Sequence, residues 1–111
     1  MTDCLFCKIV ARTIPATLLF ENEHVIAFRD IRPVAPAHAL VVPRVHVGGA
    51  RDATAETFGH VLAAAQKVAT DLGLDESGYR LVVNEGPDAG QSVFHLHCHV
   101  LGGRALAWPP G

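Results

Sequence analysis

The chain has 111 residues, half of them apolar and 18% charged: enough for one domain over 1–111, too short for two, and too apolar to stay disordered. Nine Lys and Arg oppose eleven Asp and Glu, so neither a nucleic acid nor an anionic membrane surface is expected as the main partner. No apolar stretch reaches the roughly 18 residues of a bilayer span, Met1-Thr2-Asp3-Cys4 has no basic leader character, and three cysteines without an export signal point to a reducing, cytoplasmic setting.

Residues 4–11 read as a short helix ended by Ile14-Pro15. Cys4 and Cys7 form a C-x-x-C there, ahead of the first strand, whereas a thioredoxin-like redox pair lies inside a βαβ unit. Ala16–Phe20 and His24–Phe28 are apolar runs around Glu21-Asn22-Glu23, the pattern of a β-hairpin. A Pro-rich loop over 31–37 leads to a third strand, His38–Val42, closed by Pro43. Residues 53–72 carry the clearest helix, with Phe58, Val61, Leu62, Ala65, Val68, Ala69 and Leu72 along one face. Asp52 is the predicted N-cap and Gly73 the predicted C-cap. Two more strands are expected, Tyr79–Asn84 and Val93–Leu101, before a Pro- and Gly-rich tail. One antiparallel sheet of five strands with one long and one short helix makes the fold class α+β.

Histidine is in excess, with seven in the chain. His95, His97 and His99 alternate with Leu96, Cys98 and Val100, so a strand here turns all three imidazoles to one face and the apolar residues to the core. Packing alone does not call for such a row. Rings at i, i+2 and i+4 on one strand are spread too far for the outer pair to share a metal. A nucleophilic imidazole flanked by hydrogen-bond donors to an anion fits better. Gly90-Gln91-Ser92, just upstream, supplies small residues, backbone N–H groups and a hydroxyl suited to cradling that anion.

The run from Asn84 to Arg104, with its His-φ-His-φ-His-φ-φ core, resembles the histidine triad (HIT) superfamily, and within it the histidine triad nucleotide-binding (Hint) branch. Ile14-Pro15, Ala27–Ile31, Pro36-Ala37-His38, Val42–His46 and Trp108-Pro109-Pro110-Gly111 also sit where that branch has equivalents. The resemblance implies a HIT-like fold and a homodimer with one continuous sheet. It implies a hydrolase of purine nucleoside phosphoramidates, splitting AMP–amine conjugates by way of a covalent nucleotidyl-His97. His38 and His99 would flank the phosphate, Ser92 would bond it or the leaving group, and Asn84 would touch it from the paired strand. Asp30 would accept from the ribose hydroxyls, as an acceptor-only carboxylate suits a diol. Leu5, Phe6, Ile9, Phe28 and Ile31 would form the purine slot, with Gly90, Gln91 and Val93 also at the nucleotide. Trp108 would reach towards the partner's site.

Cys98 stands where a larger aliphatic is usual in the family, on the core side. Some relatives use cysteines placed like Cys4 and Cys7, with histidines matching His46 and His95, to bind zinc. That Cys2His2 set is closed to water and therefore structural, and it would take His95 away from the phosphate. Two other functions stand beside the first. One is a dinucleoside polyphosphate hydrolase, although the Fhit-like branch typically has Gln at the position of His99. The other is a nucleotide-binding or scaffolding protein with little turnover. His24 and His60 carry no functional expectation.

Overall fold

The computed structural model describes residues 3–111. Its elements are α1 (Leu5–Val10), β1 (Leu18–Glu21), β2 (Val25–Arg29), β3 (Ala37–Pro43), a one-turn 3-10 helix (Ala50–Asp52), α2 (Ala55–Asp71), β4 (Tyr79–Val82) and β5 (Cys98–Gly102). The five strands form one antiparallel sheet in the order β1-β2-β3-β5-β4. The α+β expectation holds, with its five strands and its long and short helices. No helix among the described residues is long and apolar enough to cross a membrane.

Period-two alternation divides the sheet between two apolar clusters. Val25 and Ala27 of β2, Ala39 and Val41 of β3, and Cys98 and Val100 of β5 face α2, against Val61, Ala64, Ala65, Val68 and Ala69. Ile26 and Phe28 of β2 and Leu40 and Val42 of β3 face the other way, against Phe6 and Ile9 of α1. Cys98 is fully buried on the α2 side, and burial pushes its thiol up to about 11. It acts as a small hydrophobe, inert as a nucleophile.

Local chemistry sets the ends of the elements. In the β1–β2 turn, the Asn22 side-chain oxygen accepts the N–H groups of His24 and Val25, an Asx turn. The N-cap of α2 is Thr54, whose hydroxyl accepts from Thr57 N–H. Asp52 is spent one turn earlier in the 3-10 helix, so the expected cap lies two residues early. Gly73 sits just past the helix at φ +76°, with its N–H on Thr70 O and that of Leu74 on Ala69 O, the left-handed ending glycine favours. Leu62, expected on the buried face, is 41% exposed; Ala64 takes that place.

The largest departure concerns the last strand. It begins at Cys98 rather than Val93, and 93–97 run as irregular chain. β3 pairs with β5 only from Ala37↔Gly102 to Val41↔Cys98. Upstream of that register the chain leaves the sheet, and Leu96 N–H bonds to Val47 O at 2.6 Å instead. The strand alternation expected for His95, His97 and His99 is therefore broken at its first member.

Candidate active site and metal centre

α1 crosses only the β1–β2–β3 end of the open sheet face, which leaves a cavity of about 350 Å³ between α1, the end of β2 and the start of β5. Leu5, Phe6, Ile9, Phe28, Ile31 and Val93, the residues expected to form a base slot or flank it, all line this cavity. Asp30, Ser92, His97 and His99 line it as well. Leu40, Ile14, Pro15, Ala16, Arg29 and Arg32 complete the wall and were not anticipated. Leu40 was readable: it follows His38 by two on β3 and pairs with Phe28. Arg29 and Arg32 flank Asp30, but no spacing rule marks them.

His97 lies at the inner end, 6% exposed. Its Nδ1–H donates to His95 O at 2.7 Å, which puts the lone pair on Nε2. Phe6 packs edge-on against the ring at 5.0 Å, and His99 stands 5.1 Å away. Burial lowers the His97 pKa below its ordinary value, opposed by the bond to His95 O and by the Asp30 carboxylate. The ring is neutral at neutral pH.

A second chain of bonds fixes His38 and His99. Val34 N–H donates to His38 Nδ1 at 3.1 Å, so the proton of neutral His38 sits on Nε2. Nε2–H then donates to His99 Nδ1 at 2.9 Å, with Asp30 Oδ2 at 3.3 Å. With Nδ1 accepting, His99 carries its own proton on Nε2. Burial pushes His99 down to about 4, helped by His97 and His38. His38 is lowered by burial too. Asp30 Oδ1 accepts Arg32 N–H at 2.8 Å, which orients the carboxylate at the rim.

Four expected residues stand differently. The N–H groups of Gly90 and Gln91 are spent inside their own turn, on Pro87 O and Gly86 O. The Gln91 side chain is buried; it accepts from Gly86 N–H and donates to Gly48 O and Val93 O. These two residues build the loop instead of cradling an anion, and of the three only Ser92 lines the cavity. Asn84 borders a second, more open cavity of about 420 Å³ beyond His99, shared with His38, Asp30 and Arg32. Trp108 lines neither cavity: it is 80% exposed, with the Arg80 guanidinium 5.8 Å over its ring.

His95 turns away from the cavity. Its Nε2–H donates to Pro43 O at 2.8 Å, which leaves the Nδ1 lone pair facing Cys4 Sγ at 3.4 Å and Cys7 Sγ at 3.5 Å. His46 Nδ1 lies 3.2 Å from Cys7 Sγ. A tetrahedral zinc with Zn–S of about 2.3 Å and Zn–N of about 2.0 Å has S···N edges of about 3.5 Å. The four donors all lie within 4.8 Å of one another, and the Pro43 bond fixes the tautomer that a metal needs. The donor set fits a structural Zn2+. Asp30, His38 and His99 form another close group. There Val34 N–H occupies His38 Nδ1, so the nitrogen facing the group carries a proton. That cluster is a hydrogen-bond relay.

The HIT domain matches residues 11–106. A HIT-like protein of Synechococcus elongatus is 49% identical over 98% of this chain and 97% of its own length. A 14 kDa zinc-binding protein of Zea mays is 47% identical over 96% of this chain and 87% of its own. Among solved structures, a HIT family hydrolase from Legionella pneumophila superposes with a TM-score of 0.95 at 48% identity, covering 98% of this chain and 100% of that one. With a neutral histidine aimed into the cavity and a relay of two more beside it, these matches converge: the chain belongs to the HIT domain family.

Proposed function

We propose that the protein is a nucleotide hydrolase that cleaves the P–N bond of purine nucleoside phosphoramidates. The observation that carries the reading is His97, neutral and buried, its Nδ1–H tied to His95 O and its Nε2 lone pair left free beside His99 and Ser92. The base would enter the slot of Phe6, Ile9, Phe28 and Leu40, with the ribose hydroxyls donating to Asp30. His97 Nε2 attacks the α-phosphorus; the P–N bond breaks and its electron pair leaves with the amine, which takes up a proton. The carbonyl of His95 steadies the imidazolium formed, and the His99 Nε2–H stabilises the phosphoryl oxygens. Water then attacks phosphorus, the N–P bond to His97 breaks and the water proton is released. The net products are a nucleoside monophosphate and a free amine.

Replacing His97 with Ala should cut AMP release from an adenosine phosphoramidate by at least about 10³-fold. A rapid quench of the native enzyme should trap one nucleotidyl adduct, on His97, by mass spectrometry. Undiminished turnover in the variant would sink the nucleophile assignment. Equal or better turnover of a diadenosine polyphosphate would move the substrate class to polyphosphates, and tight nucleotide binding without any turnover would favour a binding module.

Two structural features belong to the same reading. Cys4, Cys7, His46 and His95 would hold a Zn2+, which when bound supplies a cross-link and no step of the reaction. The chain would work as a homodimer with the sheet continued between copies, leaving the exposed Trp108 for the partner's site. Light scattering of the purified protein at twice the mass of 11.8 kDa would support the dimer; a monomer would remove it.

A further inference from the structure

The chain from the tail to the catalytic relay is continuous. Gly103, at φ +89°, turns the chain after β5 against Pro36, which lies within 2.9 Å of where a Cβ would stand. Arg104 is thereby brought to the 31–36 loop. Its Nε–H and one terminal N–H both donate to Val34 O, at 3.2 and 3.0 Å. The other terminal nitrogen donates to Ala105 O at 2.9 Å, so all three guanidinium nitrogens are engaged. Val34 in turn donates its N–H to His38 Nδ1, and His38 donates to His99. The side chain of Val34 is 60% exposed and takes no part; what matters at this position is the backbone.

We propose that Arg104 is a positioning residue for the hydrolysis: by gripping Val34 O it holds the Val34 N–H on His38, which fixes the His38 tautomer and aims the Nε2–H at His99. The physical reason is that an exposed loop segment between Asp30 and the buried Ala35, with prolines on both sides of Val34, has few other anchors. The planar fork of Arg supplies two parallel donors to one acceptor, where Lys supplies a single point. Without the grip, Val34 N–H drifts from Nδ1, the His38 proton is free to move to Nδ1, and the donor to His99 is lost. A catalytic donor misplaced by about 1 Å costs up to about 100-fold in rate.

The kinetic arm rests on the phosphoramidate reading; the spectroscopic arm does not. In long-range 15N NMR of the zinc-loaded protein without substrate, native His38 should show the Nε2–H tautomer, and Arg104→Ala a mixture of the two. Arg104→Ala should lower kcat for an adenosine phosphoramidate about 10- to 100-fold with KM nearly unchanged, and Arg104→Lys should fall between it and the native protein. In a His38→Gln background, Arg104→Ala should cost nothing further. A pure Nε2–H tautomer in a folded Arg104→Ala protein overturns the inference, as does an undiminished loss of rate in the His38→Gln background. If Arg104→Ala does not fold, a native His38 spectrum and native kcat in Arg104→Lys overturn it. Should the native protein turn over no phosphoramidate, the function reading falls and the NMR result alone decides the role of Arg104.

Discussion

At the scale of single residues, three imidazoles of one sequence run stand in two different environments because each has one nitrogen committed to a particular partner. His97 spends Nδ1–H on His95 O and keeps the Nε2 lone pair that the proposed attack needs. His95 spends Nε2–H on Pro43 O and keeps a lone pair for a metal. His99 takes a proton donor on Nδ1 and becomes a donor itself. Burial keeps His99 neutral, at about 4 against the ordinary 6.5. Between those values the unfolded chain binds a proton that the folded one refuses, so this contribution to stability is whole above pH 6.5 and falls as the pH drops towards 4. Thermal melting across that window should show the decline, and His99→Gln should flatten part of it. Identical slopes for the two proteins would mean that His99 is not held neutral.

At the scale of elements, the close approach of β5 to the end of α2 is set by Gly102. A Cβ there would lie 2.7 and 2.8 Å from the two methyl carbons of Leu74, which is itself 4% exposed. Gly102→Ala should therefore cost about 1–3 kcal/mol, read from urea unfolding. An unchanged midpoint would show that Leu74 swings aside freely. The helix α2 and the hairpin β1–β2 were legible because their apolar spacing and turn residues are local. The start of β5 was not: Val93 to His97 alternate as a strand should, yet have no partner in the register beyond Val41↔Cys98. Alternation reports which side chains would share a face if the chain were paired; it does not create the partner. The same limit hid Gly90 and Gln91, whose N–H groups close their own turn.

At the scale of the whole molecule, the Cys2His2 set brings together the start of α1, the loop after β3 and the approach to β5, three segments far apart in the chain and joined by no disulfide. The segment it anchors carries the His95 carbonyl that orients His97. Zinc at about 100 times its Kd would add about 2.7 kcal/mol, on the order of 10 °C in Tm for a domain of this size. Stripping the metal with a chelator should lower the melting temperature by that order. A Cys4→Ser/Cys7→Ser variant should melt low from the start and ignore the chelator. A native protein equally indifferent to chelation would remove the metal from the reading.

By itself the sequence determined the fold class, the long helix and the β1–β2 hairpin, and it singled out His97 as the candidate nucleophile. These follow from periodicity and side-chain type, which are properties of neighbouring residues. Only the tertiary structure decided that His95 turns from the cavity to Cys4 and Cys7 while His97 and His99 stay in its lining. It also decided which nitrogen of each ring holds the proton and that a tail arginine reaches the relay. Those outcomes depend on Pro43, Val47, Cys4, Cys7, Val34 and Arg104, which meet the histidines only when segments distant in the chain pack together, and no local spacing encodes such a meeting.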